Sequence, residues 1–330
     1  MMNRRMFVGG IAGSIFGLPP GASAQQRDKV WRIGFLYFGS RQSSLMTGRY
    51  NAFVEGMREL GYVEGKNLVI EARFADSEVQ RLPDLAAELV RLKVEVIVAT
   101  GSPVYRALRL ANTAIPIVVT VTADPMTAGL AASLARPGGN FTGVSDTAAV
   151  LGPKHLELLM SAVPQLARVG ALLNPSNDSH RNQLQGLTLA ARKVGVRVVT
   201  ASAATLADIE PAFASLARER TDACMLFGDT FFTQEIQQIA QTAGKHRMPS
   251  IYPPREYARA GGLMSYGSDF ADNFRRAATF VDRILKGTKP GELPFEQPTR
   301  YFLAINIKTA KTLGLNIPQT LLLRADEVIA

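Results

Sequence analysis

Polar residues close almost every apolar run in this 330-residue chain, and side chains of that kind hold ligands by hydrogen bonds. In the first half they are Ser40, Ser102, Thr122 and Asp124; in the second they are Asn174, Asp229, Tyr252 and Tyr266. Several stand just before a segment patterned as a helix, where unpaired backbone N–H groups and the helix dipole favour an anion. Ser40 and Ser102 suit a carboxylate, and Asp124 or Asp229 an ammonium. Tyr252, Tyr266 and Phe231 would wall in an apolar group. Taken one at a time, Ser, Asn and Asp at such places also cap helices and make turns. Taken as two sets, one from each half, they describe the facing rims of a cleft that closes over one small molecule.

A cleft of this kind can also house an enzyme, such as a hydrolase or an epimerase, and that is the alternative reading. The chain has no G-x-S-x-G elbow, Walker lysine loop, G-x-G-x-x-G fingerprint or H-E-x-x-H helix, so no catalytic residue is expected. His155, His180 and His246 share no metal-ligand spacing, and neither metal nor cofactor is expected. His155 reads as a surface residue opening an amphipathic helix. His180 reads as a neighbour of the capping run Asn177-Asp178-Ser179, beside a cleft loop, and His246 as a solvated loop residue. The single cysteine, Cys224, lies in the run Ala223-Cys224-Met225-Leu226-Phe227 and reads as a buried thiol with no disulfide or metal role.

Polar loops can face one another only if rigid elements carry them. Short β-rich runs at 31–38, 67–74, 94–99 and 115–121 alternate with helical patterns, and a second alternation places strands at 168–173, 196–202, 222–227, 249–252 and 262–266. The pattern predicts an α/β protein with two lobes, each a parallel sheet covered by helices, whose loops beyond the strand ends bind the ligand. Met46, Tyr50, Phe53, Met57 and Leu60 form one helical stripe ended by Gly61, and Leu82, Leu85, Leu89 and Leu92 form another. Further helices are expected at 178–194, 208–220, 232–243 and 255–260. Pro164 stops the helix bearing Leu156, Leu159, Met160 and Val163, and Gly195 ends the next. The lobe boundary falls near 144–153; an amphipathic segment at 269–286 precedes a Pro- and Gly-rich linker at 287–298. The remaining strand at 301–305, helix at 308–313 and tail at 321–329 are too short for a third domain.

Composition sets the cellular context. At 47% hydrophobic and 8% aromatic residues the chain can bury a substantial core. A formal charge of +9 is scattered over amphipathic segments, which describes a solvated basic surface and not a nucleic-acid patch. Residues 1–24 read as a cleavable signal: Arg4 and Arg5, an apolar stretch closed by Pro19-Pro20, and Ala22-Ser23-Ala24 before Gln25. The stretch is shorter than the ~20 residues a membrane-spanning helix needs. Arg4-Arg5-Met6-Phe7-Val8 is compatible with either the Sec or the twin-arginine route. No cysteine stands directly after the cleavage site, so the expected product is a periplasmic protein without a lipid anchor. A DNA-binding helix pair, as a transcriptional regulator would carry, has no place in residues 1–30.

Residues 53–67 (FVEGMRELGYVEGKN) and 81–90 (RLPDLAAELV) resemble the ABC transporter substrate-binding protein family, as do 134–143 (LARPGGNFTG), 306–315 (NIKTAKTLGL) and 324–329 (RADEVI). The likeness runs through the whole chain after the signal. It implies a type I periplasmic binding protein fold: two Rossmann-like lobes joined by three crossovers, closing over one small molecule and delivering it to a permease in the inner membrane. It also implies lobes made of 30–146 with 269–298 and of 147–268 with 299–330. Some members similar to this chain bind aromatic amino acids, with the head group held by strand-end loops. By loop position this implies Ser40, Ser102, Thr122, Asn174, Asp229 and Tyr266 as ligand contacts, with Arg41 a departure in the first loop. A monomer is expected, because closure needs free lobes.

Overall fold

The computed structural model describes residues 29–146 and 148–330, so the signal expected at 1–24 lies outside the described residues. Five strands form the first sheet: β1 (Trp31–Tyr37), β2 (Leu68–Phe74), β3 (Val96–Thr100), β4 (Ile117–Val119) and β5 (Phe141–Gly143). They are parallel throughout, in the order β2-β1-β3-β4-β5. The helices between them are α1 (Arg41–Met46), α2 (Arg49–Glu59), α3 (Leu82–Arg91) and α4 (Ser102–Leu110). Both faces of the sheet are covered, so its central strands are apolar along their buried length, as from Ile33 to Tyr37. Ile33, Phe35 and Tyr37 face one core together with Val96 and Val98, while Leu36, Ile97 and Ala99 face the other.

The second sheet has seven strands in the order β12-β11-β10-β9-β8-β6-β7. They are β6 (Arg168–Leu173), β7 (Arg197–Ser202), β8 (Ala223–Leu226), β9 (Ser250–Tyr252), β10 (Met264–Gly267), β11 (Phe302–Asn306) and β12 (Glu327–Ile329). Its helices are α5 (Ala148–Ala162), α6 (Ser179–Lys193), α7 (Leu206–Arg218), α8 (Thr230–Gln234), α9 (Ile236–Lys245) and α10 (Glu256–Arg259). The pairing of β10 with β11 is antiparallel, a departure from an all-parallel sheet that arises because the chain returns to it from the opposite lobe.

That return is made by α11 (Phe270–Leu285), which leaves the second sheet and packs on the first. Phe274, Ala277, Ala278 and Val281 meet Phe53 and Met57 of α2 in one core. A Cβ at Gly56 would lie 2.8 Å from the Arg275 carbonyl and 2.9 Å from the Ala278 Cβ, so only glycine lets these helices come so close. The chain then crosses back through Glu296, which bridges Val144, and ends with α12 (Ile307–Leu313), α13 (Gln319–Leu322) and β12. Together with the passage from β5 to α5 this makes three crossovers. The Pro- and Gly-rich stretch between α11 and β11 is no free linker. Leu293 and Phe295 are buried, and the Leu293 carbonyl accepts from Thr142 Oγ1 at 2.7 Å.

Further sequence expectations are corrected. The stripe from Met46 to Leu60 is broken at Gly48 into two helices. Its buried face is Arg49, Phe53, Gly56 and Met57, leaving Met46 77% exposed. β5 lies inside the glycine-rich run at 134–143, where three residues were too few to show a period. His155 is not at the surface: it is buried in α5, and its Nε2–H donates to the Tyr266 carbonyl at 2.6 Å. His246 likewise is paired, with Glu210 at 2.9 Å, and stacks on Phe213.

Burial pushes the His155 imidazole down from 6.5 to about 4. A folded-state value below the unfolded one contributes stability that is whole above pH 6.5 and is lost as the pH falls towards 4, because only the unfolded chain takes up the proton in that window. The loss should approach about 3 kcal/mol. In urea unfolding between these pH values, His155→Gln, which can still donate to the carbonyl, should flatten the slope. An unchanged slope would assign the titration to another group.

Candidate ligand site between the lobes

In both sheets the order of strands reverses beside the first strand of the unit, between β1 and β3 and between β6 and β8. The crevice beyond such a switch point is where open α/β sheets bind ligands. The two crevices face one another and leave about 560 Å³ between the lobes, part of it continuous with solvent. The first lobe contributes Tyr37 at the end of β1, Arg49 at the start of α2, the turn from Thr100 to Ser102 and the stretch 121–123. The second contributes Asn177, Ser179, Gly228 to Thr230, Thr233 and Gln234, and Asp146 and Phe270 stand at the crossovers.

Asp229 organises the second rim. Its Oδ1 accepts from Phe231 N at 2.9 Å, Phe232 N at 3.2 Å and Asn174 Nδ2 at 3.1 Å, and its Oδ2 accepts from Asn177 Nδ2 at 2.8 Å. The residue therefore caps α8 and holds the loop between β6 and α6 at two points. Tyr252 is fully buried behind it, donating to the Asp229 carbonyl at 2.8 Å. Burial holds the Tyr252 phenol above its ordinary range. His180 lies beneath the Asn174 loop. The Asn174 N–H donates to its Nδ1 at 2.9 Å, so the ring proton sits on Nε2 and points to the Gly228 carbonyl at 3.2 Å. Burial holds this imidazole below its usual value, favouring the neutral form that accepts from Asn174.

Of the residues expected at the site, Ser102, Thr122 and Asp229 line the cavity. Asn174 and Tyr252 stand behind that lining and support Asp229. Ser40 is off the cavity: its Oγ accepts from Ser43 N at 3.0 Å and caps α1. Asp124 lines an adjoining pocket with Arg106 and Arg109, and its carboxylate is taken up by Met126 N and Thr127 within its own turn. Tyr266 points the other way. Alternation along β10 sends its ring to the α5 side of the sheet, where it packs on His155 and stacks on Tyr301 at 5.7 Å.

Sequence reasoning did not single out Tyr37, Arg49, Asp146, Gln234 or Phe270. For Arg49 a signal was present: it shares the spacing i, i+4, i+8 with Phe53 and Met57, which puts a charge on a buried stripe. Arg49 is 4% exposed, and its Nη1 donates to Tyr37 Oη at 3.1 Å. The Phe270 ring lies 5.1 Å from its guanidinium carbon. Burial opposes the charge, but Tyr37 and Glu256 outweigh it and keep the guanidinium firmly protonated.

The lobes are in contact across the cavity. Ser43 Oγ donates to Gln234 Oε1 at 2.8 Å, and Gln234 Nε2 donates to Tyr37 Oη at 3.2 Å. Farther out, Asn182 Nδ2 donates to Thr127 Oγ1 at 3.2 Å, and Arg106 approaches Asp178 at 3.7 Å. Two glycines of the first lobe make room. A Cβ at Gly39 would fall 2.0 Å from Gln234 Oε1. One at Gly101, whose φ is +98°, would fall 2.6 Å from Thr230 Oγ1.

The family described as ABC transporter substrate binding protein matches residues 42–329. A Tyrosine-binding protein of Clostridioides difficile (strain R20291) is 27% identical over 263 residues, spanning 80% of this chain and 75% of that protein. The structure of a conserved domain protein from Vibrio cholerae O1 biovar El Tor superposes with a TM-score of 0.85 at 29% identity, covering 91% of this chain and all, 100%, of that one. An ABC domain from Streptococcus pneumonia in complex with L-Trp gives a TM-score of 0.84 at 25% identity, with the same 91% and 100% coverage.

Because four donors converge on the Asp229 carboxylate, Asp229→Ala should lower unfolding stability by about 2–4 kcal/mol, from the lost cap and the stranded buried amides. Asp229→Asn, which keeps one acceptor, should lose about half of that. Equilibrium urea unfolding of the three proteins checks this; a change within about 0.5 kcal/mol for the alanine variant would dismiss the network as a support.

Proposed function

This chain belongs to the ABC transporter substrate binding protein family, and from that premise we propose that it binds one amino acid, aromatic by preference, between its lobes and releases it unaltered to an inner-membrane permease. The observation that carries the reading is the Gln234 bridge, by which the second lobe closes a polar cavity against the first. The cavity offers charges of both signs, Arg49 against Asp146 and Asp229, as a zwitterion requires. Tyr37 and Phe270 supply ring surface beside them. The relative named for tyrosine and the neighbour crystallised with L-Trp support the same ligand class. In this reading the protein works in the periplasm, delivered there by its first 24 residues, and acts as a monomer. The moving bodies are residues 30–146 with 269–298 and residues 147–268 with 299–330.

The mechanism is a shift of population. Ligand touching both rims stabilises the closed form by its differential affinity for that form, and the permease recognises the closed surface. No step of bond making is assigned to the cavity residues. Among the described residues no helix is long and apolar enough to cross a membrane.

A thermal-shift and calorimetric screen of the common amino acids and of aromatic carboxylates tests the ligand class. A true ligand at a hundredfold its dissociation constant should add about 2.7 kcal/mol to apparent stability, and its mass should be unchanged after release. A flat screen, or a recovered product of different mass, would overturn the proposal. The bridge makes a second test. Gly39→Ala should push the Gln234 amide away from Ser43 and Tyr37, and Gln234→Ala should remove it. Each should weaken binding by about 5- to 10-fold, and because both break one contact the double variant should be no worse. Losses that multiply would show that the two residues act separately.

A further inference from the structure

Arginine is almost never fully buried unless it is paired, yet Arg49 is buried and largely unpaired. Its Nη1 is used by Tyr37. Its Nη2 stands 3.7 Å from Glu256 Oε1, beyond hydrogen-bond length, and neither Nε nor Nη2 has a hydrogen-bond partner. These two nitrogens form the side-on fork of the guanidinium, whose parallel N–H groups match the two oxygens of a carboxylate. The side chain lines the interlobe cavity, with Tyr37 and Phe270 lining it alongside, so an anion on the fork would be shielded from water. Deepening the reading above, and resting on it, we propose that Arg49 is the receptor for the ligand's carboxylate and that this protein therefore takes only free carboxylic acids. Amides, esters and decarboxylated amines of the same compounds are excluded, because a neutral carbonyl fills at most one N–H of the buried charged fork and the amine fills neither.

Glu256 marks the rival role. It belongs to α10, on the second lobe, so Arg49 could serve as a latch between lobes and not as a receptor. The two roles separate in a binding experiment. L-tyrosine, L-tryptophan and L-phenylalanine, each with its amide and its decarboxylated amine, are titrated calorimetrically into the full mature chain and into Arg49→Gln, Arg49→Lys and Glu256→Gln. The expected result is that at least one acid binds the unaltered protein about 100-fold or more tighter than its amide and amine. Arg49→Gln should bind that acid no better than the amide. Arg49→Lys, which keeps the charge without the fork, should fall between, and Glu256→Gln should bind the acid at least as well as the unaltered protein. Melting of each unliganded variant, with Arg49→Met as the apolar control, confirms folding: removing a buried charge that is only partly paired should leave the midpoint unchanged or raised.

Acids and amides binding alike, or an acid binding Arg49→Gln undiminished, would overturn the receptor while leaving amino-acid binding intact. Equal losses in Arg49→Gln and Glu256→Gln would make the pair a latch and also overturn it. If none of the nine compounds bound the unaltered protein, the aromatic amino-acid reading would fall first and the receptor with it.

Discussion

The Asp229 carboxylate accepts two backbone N–H groups at the start of α8 and the side-chain amides of Asn174 and Asn177, so one group ties together the segments that follow two different strands, β8 and β6. Its own backbone is held from below by Tyr252, and the Asn174 loop is held by neutral His180. A buried carboxylate is tolerable because its acceptor sites are taken by donors that need partners themselves. α8, only five residues long, is then aimed so that Gln234 at its end reaches the other lobe. The second rim is thus rigid up to the point of contact.

The two rims are built differently. The second presents side chains: Gln234, Thr230 and Asn177. The first presents backbone at Gly39 and Gly101, with no Cβ at either. A bare backbone facing a pre-set side chain lets the lobes approach more closely than two side-chain surfaces could. It also means the closed form is specified by shape at two points, where any larger residue meets an atom already placed. Arg49 and Tyr37 lie just inside this contact, with Tyr37 Oη accepting from both Arg49 and Gln234. The closing contact and the buried cation therefore share one phenol, which ties the state of the cavity to the state of the rim.

Much of this was legible in the chain. The strands stood out because both faces of each sheet are covered, giving unbroken apolar runs. The rims stood out because such runs end in Ser, Thr, Asn or Asp. What the pattern could not supply was direction. Asp229 is at the site, but its lone pairs go to amides. Tyr266 lies near the end of β10, yet alternation along that strand turns it to the far face. Ser40 and Asp124 spend their oxygens on their own turns. Arg49 was hidden because the helical stripe was read one position out of register, through Tyr50 and not through Arg49. A period of 3.6 tolerates that shift when one neighbour is buried and the next is half-buried. Tyr37, Gln234 and Phe270 meet only in three dimensions, from segments far apart in the chain, and no spacing records that.

The packing of α11 on α2 bears on how the chain is made. Synthesis proceeds from the amino end, and domains generally acquire structure as units while it does so. Here the first sheet emerges early, but the helix that covers Phe53 and Met57 begins only at Phe270, after ten of the twelve strands have been translated. Until then that apolar face has no cover of its own. The nascent protein must be shielded by other means or remain uncollapsed, and its two halves mature almost together, near the moment the last residues leave the ribosome.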